Sequence, residues 1–210
     1  MQNNKTDFFF KALSEYISNA DFVGEKMIAF CDLIIKSNKL YNLTSITQID
    51  DMLKKHILDS FSINKLMKGK SVLDIGSGAG LPGMPLAIAN PEQKYLLLDS
   101  NNKKIIFLNH VKINLDVKNV NLLHSRIEDF RSKDGFDTIV CRSYSSLSTI
   151  YLNSAKHLRK EGIIIAMKGK FPERELSELK AIDKNVDYDV KNLKVLGLKA
   201  ERHAVIIFKK

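Results

Sequence analysis

A chain of 210 residues is long enough for one full domain plus a helical extension, taking roughly 150 residues per domain. Apolar residues make up 44% and charged residues 27%, as in globular proteins, and no uninterrupted apolar run approaches the roughly 18 residues a membrane span needs. Lys and Arg number 33 against 24 Asp and Glu, a net charge of +9 that biases the protein toward polyanions and makes nucleic acid the leading partner.

The opening stretch "MQNNKTDFFFKALSEY" carries no secretory apolar core with a small-residue cleavage site, so a cytoplasmic protein with no membrane contact is expected. Residues 1 to 66 read as helices. Phe9, Leu13, Tyr16 and Ile17 recur at steps of three and four, and Met27, Phe30, Cys31, Ile34 and Ile35 do the same, which places each set on one helical face. "YNLTSIT" breaks the pattern. A third helical segment, "IDDMLKKHILDSFSINKLM", then starts on acidic residues suited to a helix N-terminus.

From residue 67 to 210 the pattern predicts a second unit. The short apolar runs "SVLDI", "KYLLLD", "VNLLH", "DTIVCR" and "GIIIAMK" alternate with the helical segments "MPLAIAN", "KKIIFLNHVKINL" and "LSTIYLNSAKHL". Strands buried on both faces and joined by helices predict an α/β fold with a mostly parallel sheet. "NLKVLGL" and "RHAVIIF" near the C-terminus read as two further strands joined too tightly for a helix, hence antiparallel. Cys31 and Cys141 stand alone, with no CxxC and no His pair at ligand spacing, so buried reduced thiols and no metal are expected.

The stretch "VLDIGSGAGLPG" raises the question of what its glycine turn holds. A triphosphate loop needs G-x-x-x-x-G-K-[ST], which is missing, and the dinucleotide pattern G-x-G-x-x-G would put its last glycine at Leu81. Pro82 and Pro85 keep the following helix from starting earlier than about Pro82 and remove N–H donors from its first turn, which weakens it as a pyrophosphate cradle. Asp99 ends the next strand 19 residues after Gly80, where a carboxylate accepts hydrogen bonds from a ribose diol. Asp74, just before Gly76, suits a cofactor carrying a sulfonium and an ammonium. S-adenosylmethionine is therefore favoured, with a nicotinamide cofactor or a bare structural turn as alternatives. After the third strand, Ile127 and Glu128 of "SRIEDF" occupy the place for an adenine contact, or equally a solvated acidic turn.

The fourth strand ends in "IVCRSYSSL", where enzymes that methylate exocyclic amines commonly carry [DN]-P-P-[YF]; that segment is missing. Cys141 lacks the Pro-Cys of pyrimidine-carbon methylation. No general base is evident, and the N7 of guanine needs none, because its lone pair is free at neutral pH. Orientation alone then supplies about 7–11 kcal/mol. Arg142 suits a cofactor carboxylate, a phosphate or a guanine O6. Lys168 shares the same rim.

With these residues laid out, the chain resembles the bacterial 16S rRNA guanine-N7 methyltransferase family, RsmG, also called glucose-inhibited division protein B. The resemblance rests on "YNLTSI", "HILDS", "LDIGSGAGLPGMPLAI", "LLLDSNNKKIIFL", "SRIEDF", "CRSYSSL", "MKGK" and "ERHAVIIF", in order along nearly the whole chain. It implies a class I, Rossmann-like S-adenosylmethionine-dependent methyltransferase with an antiparallel C-terminal strand and an N-terminal helical extension. The implied reaction is methyl transfer to N7 of a guanine in the decoding region of 16S rRNA, acting on the rRNA or the small ribosomal subunit, in the cytoplasm, with a monomer expected. Cofactor contacts would fall on Gly76, Gly78, Leu81, Asp99, Ile127, Glu128 and Arg142. Asn42, His56, Asp59, Lys168, Arg202 and His203 also match family motifs, as RNA or acceptor-pocket contacts. Cys141-Arg142-Ser143 departs from the family's usual Ser-Arg-Ala, and Lys103-Lys104 from its Lys-Arg, which touches fine substrate contacts more than the reaction. A methyltransferase on tRNA or protein, or a non-catalytic RNA-binding factor, are the competing readings.

Overall fold

The computed structural model describes residues 2–208, with side chains from residue 6 onward. The outermost residues of the two expected units, 1 and 209–210, lie outside the described residues. Two helices, α1 (Gln2–Ser14) and α2 (Ala20–Tyr41), lead into a third helical stretch made of α3 (Ile49–Met52), a π-helical segment (Leu53–Leu58) and α4 (Asp59–Phe61). Beyond α4 comes a single 3-10 turn, Asn64–Leu66. The expected continuous helix is thus widened in its middle. A π-helical turn inserts residues relative to 3.6 periodicity and rotates the side chains of "HILDS" around the helix axis.

The remainder alternates strand and helix: β1 (Ser71–Ile75), α5 (Gly83–Ala89), β2 (Lys94–Asp99), α6 (Asn102–Asn114), β3 (Val120–His124), β4 (Phe136–Arg142), α7 (Leu147–Ser154), β5 (Leu158–Lys168), α8 (Glu173–Ile182), β6 (Asp187–Asn192) and β7 (His203–Phe208). They form one seven-stranded sheet in the order β3-β2-β1-β4-β5-β7-β6. Strands β1 to β5 are parallel, and β7 runs antiparallel between β5 and β6. The expected class of sheet is present. One expected strand is displaced: "NLKVLGL" is loop after Asn192, and its place beside β7 is taken by the polar run "DYDVKN". The displacement has a simple cause. Leu193 and Val195 are buried because they anchor the loop in the core beside the N-terminal helices, whereas β6 is an edge strand whose polar side chains face solvent.

Successive strand residues face opposite sides of the sheet. Val72, Ile163, Ile165 and Ile206 point toward α1, α2, α5 and α6, and they share a core with Phe9, Leu13, Met27, Phe30 and Ile34. Leu73, Ile75, Ile164 and Val205 point the other way, onto α7 and α8 through Leu147, Ile150, Leu176 and Leu179. Ile35, expected on the buried face of α2, is 37% exposed at its rim. Both cysteines are buried and free, and burial pushes their thiols up to about 12.

The chain winds outward from β1 through β2 to β3, then returns to place β4 on the other side of β1. Between β1 and β4 the connections diverge, and a crevice opens there beyond the carboxyl ends of the strands. Asp74 pairs with Val140 in register, so Gly76 and Arg142 leave their strands side by side.

Candidate active site

The glycine turn is folded back onto β2. The backbone N–H groups of Gly76 and Ser77 donate to the Leu98 carbonyl at 2.9 and 3.1 Å, and Gly78 N–H donates to Asp99 Oδ2 at 2.8 Å. Gly76 has φ +66°, and a Cβ there would lie 2.5 Å from the Tyr144 ring, so both its backbone and its surroundings demand glycine. Gly78, at φ +58°, is different. A Cβ there would meet only the Gly76 carbonyl at 3.8 Å and the Lys104 ammonium at 3.9 Å, both ordinary contact distances, so the turn is open on that side. Helix α5 begins at Gly83, one residue after Pro82, in accord with the limit set by the two prolines.

Asp74 is completely buried under this turn. Its Oδ2 accepts from Gly83 N–H at 2.9 Å, and Gly83 carries no side chain because a Cβ would fall 2.5 Å from that carboxylate. Its Oδ1 has no protein partner, a buried acceptor that water or a ligand must satisfy. Burial pushes the carboxyl up to about 7, although the Gly83 N–H and the Arg142 charge act in the opposite direction.

In front of the turn lies a cavity of about 520 Å³, walled by the turn, the ends of β4 and β5, and the N-terminal segment. Eight of the site candidates named from the sequence line it: His56, Asp59, Gly76, Gly78, Leu81, Arg142, Lys168 and Arg202. Among them Asp59 has a side chain only 3% exposed. Asp59 Oδ2 accepts from Arg142 Nη1 at 3.0 Å, and Oδ1 accepts from Arg202 Nε at 2.8 Å. Arg142 also donates to the Lys55 carbonyl at 3.3 Å. His56 bonds Thr44 Oγ1 through Nε2 at 2.9 Å, and burial, then the Arg142 charge, pushes it down to about 4, so the ring is neutral at physiological pH. Lys168 donates to Glu175 Oε2 at 2.7 Å and to the Ser145 carbonyl at 2.8 Å, bracing the loop after β4. In that loop Ser143 adopts φ +52°, a left-handed conformation that few non-glycine residues take.

The other sequence candidates stand off this wall. Asp99 is buried behind the turn, with Oδ1 accepting from Asn101 N–H at 2.8 Å. Ile127 is fully buried in the core that faces α7 and α8, and Glu128 is exposed, held by Asn153 Nδ2 at 2.8 Å. Tyr144 connects this group to the cavity. Its ring covers Gly76, and burial raises its hydroxyl pKa with further contributions from Glu128 and Asp99. His203 lies behind the rim, with Nδ1 bonded to the Gly169 carbonyl at 2.7 Å. Asn42 is exposed, in a left-handed conformation at the C-cap of α2. Lys104 lines the cavity as well, and so does Lys55, which stands beside His56 in the basic run Lys54-Lys55. Thr44 and Tyr144 were not singled out in the sequence as site residues, although "YNLT" and "CRSYSSL" contain them.

Sheet order, glycine turn and crevice define a class I S-adenosylmethionine-dependent methyltransferase fold. Solved structures agree: a SAM-dependent methyltransferase from Aquifex aeolicus matches at TM-score 0.58 and 17% identity, over 75% of this chain and 92% of that one. P. horikoshii TYW2 in complex with MeSAdo matches at TM-score 0.57 and 14% identity, over 73% and 62%. Sequence narrows the class. The model of the family described as rRNA small subunit methyltransferase G, GidB, matches residues 24–205. Proteins of the same name are 41% identical in Legionella pneumophila, over 94% of this chain and 91% of the relative, and 42% identical in Methylococcus capsulatus, over 85% and 86%. The chain belongs to the rRNA small subunit methyltransferase G family, whose members are S-adenosylmethionine-dependent methyltransferases.

The buried Asp74 makes a pH-dependent prediction. In the unfolded chain this carboxyl ionises near its ordinary value of about 4, but in the fold only near 7, so between these values the folded protein holds a proton the unfolded chain has lost. Its contribution to stability is complete below the lower value and is lost as pH rises through the higher one. In urea unfolding, the stability of Asp74→Asn relative to the natural protein is therefore expected to increase steadily over that interval. A difference that does not vary with pH would show that Asp74 titrates normally.

Proposed function

We propose that this protein transfers a methyl group from S-adenosylmethionine to N7 of a guanine in 16S rRNA, with the naked rRNA or the small ribosomal subunit as partner. The observation that carries this reading is a cationic cavity, directly in front of a glycine turn, that offers no group poised to remove a proton. Arg142, Arg202, Lys55, Lys104 and Lys168 bring positive charge to it. His56 is neutral but is tied to Thr44 and beside the Lys55 carbonyl. Guanine N7 is an acceptor that matches such a site, since it attacks with a lone pair and loses no proton.

The cofactor supplies an electrophilic methyl group on a cationic sulfonium. Its binding residues are proposed to be Gly76, Gly78, Leu81, Asp99, Ile127, Glu128 and Arg142. The open side of Gly78 and the unpartnered Oδ1 of Asp74 fit a ligand that brings its own donors and positive charge. Asp99 holds Gly78 and Asn101 in place and keeps further lone pairs for a ribose diol. Across the cavity His56, Lys168 and Arg202 form the acceptor side, with Asn42 at the outer edge and His203 supporting the rim. Positive charge there attracts rRNA phosphates, and the fixed arginines orient the base. The rate then comes from orientation and electrostatics rather than from proton transfer.

Asp99→Ala is expected to weaken S-adenosylmethionine binding by about 1.5–3 kcal/mol for each charge-assisted hydrogen bond lost, read by calorimetry; unchanged affinity would remove Asp99 from the site. Protein incubated with methyl-labelled cofactor and small subunits from cells lacking the gene should, after digestion of the rRNA to nucleosides, give label in N7-methylguanosine. Label in a different nucleoside would displace the proposed acceptor atom.

A further inference from the structure

The segment between β5 and α8, "GKFP", has no role in the methyl-transfer reading, yet its first residue lines the cavity. Gly169 lines the cavity together with Lys168 and Arg202, and a Cβ built on it meets no atom within 4 Å, so the space over its backbone is open. Lys170 is exposed beside it. Phe171 comes next, 53% exposed.

An isolated exposed apolar residue ordinarily needs no explanation. Phe171 differs in how it is held. Its ring meets the His203 ring edge to face, with centroids 5.6 Å apart and an interplanar angle of 84°. His203 is itself 8% exposed and anchored by the 2.7 Å bond to the Gly169 carbonyl. On the other side Pro172 is buried, and its carbonyl accepts from Leu176 N–H at 3.0 Å in the first turn of α8. The residue before a proline is restricted to extended backbone. The aromatic ring is thus held by His203 on one side and by a proline-restricted backbone on the other, while about half of its surface stays in water. It lies two residues beyond Gly169, which lines the cavity together with Lys168 and Arg202, and follows the exposed Lys170 directly.

A fixed, exposed aromatic next to positive charge is the combination that binds unpaired nucleotides: the cations take phosphates, and the ring stacks on a base. We propose that Phe171 is the stacking platform for one unpaired base of the RNA substrate, adjacent to the target guanine, with the intervening phosphate passing over Gly169. The assignment rests on the reading of the cavity as an RNA methyl-acceptor site. It adds a nucleobase subsite outside the cavity, and it gives the enzyme a way to require that its target lie in single-stranded or splayed RNA.

The test uses the full chain with Phe171 replaced by Ala, Leu or Trp, each checked for folding by thermal unfolding. With small subunits from cells lacking the gene as substrate, Phe171→Ala and Phe171→Leu are expected to raise KM for the subunit by about 5- to 150-fold, the range for losing one stacked base. Phe171→Trp should stay close to the natural protein, and kcat and S-adenosylmethionine affinity should hold in all three. A Leu variant as good as Phe would show that the ring serves apolar packing only, and an Ala variant with unchanged KM would remove the subsite. A second readout does not depend on the reaction. Binding of fluorescent oligoadenylate of about 12 nucleotides should weaken in Phe171→Ala at every salt concentration, with the slope of log K against log salt unchanged, because a stacking contact is lost and no phosphate contact is. If the natural protein binds this RNA through Phe171 but methylates no subunit, the acceptor assignment fails and the stacking subsite stands; equal binding by Ala and Phe overturns the subsite whatever the activity.

Discussion

A carboxylate buried in a protein is costly unless its oxygens are fully paired, and Asp59 meets that constraint by recruiting one arginine from the end of β4 and another from just before β7. These partners lie 83 and 143 residues away in sequence. The pairing ties the N-terminal helical segment to two separate strands of the sheet, at the mouth of the crevice between β1 and β4. It also decides what the arginines present to that crevice. Arg142 commits Nη1 to Asp59 and the Lys55 carbonyl, and Arg202 commits Nε to Asp59 and Nη1 to the Glu201 carbonyl, so each guanidinium is fixed at the cavity wall with donors left over. The N-terminal helices are thus part of the site and not a cap over it.

Charge in the cavity reflects this arrangement. Arg142 is one reason His56 stays neutral, so the imidazole accepts or donates only as its tautomer allows and adds no charge of its own. Arg142 also favours ionisation of Asp74 beneath the turn, although burial outweighs it. Lys168 is drawn aside by Glu175, and in being so held it fixes the β4 to α7 loop that carries Ser143 and Tyr144. A set of positive groups, each oriented by a neighbour, is what a site needs if it works by positioning a nucleophile that already has its lone pair.

Much of the sheet was legible in the sequence because the central strands β1, β4 and β5 are largely buried on both faces and appear as mostly apolar runs. The glycine turn was legible because Pro82 and Pro85 limit where α5 begins. The features that escaped notice depend on contacts far along the chain. The edge strand β6 is polar because it has solvent beside it, and the apolar "NLKVLGL" is loop because Leu193 and Val195 plug the core under the N-terminal helices. The π-helical turn at Leu53–Leu58 has no signature in a periodicity analysis, yet it precedes Asp59 directly. Asp59 was visible only as part of a family motif, and its role emerged from its two arginines. Tyr144, which covers Gly76, lies in "CRSYSSL", whose neighbours give no hint that a ring belongs there.

The dependence of the site on Asp59 is tested most directly by single-turnover methyl transfer in Asp59→Asn, which keeps the shape of the side chain and removes the charge that both arginines share. At a temperature where the variant is fully folded, the rate is expected to fall by roughly 10- to 100-fold, as when reacting groups are displaced by about an ångström. A folded variant that transfers methyl groups at the natural rate would contradict this dependence and leave Asp59 as a structural link between the helices and the sheet.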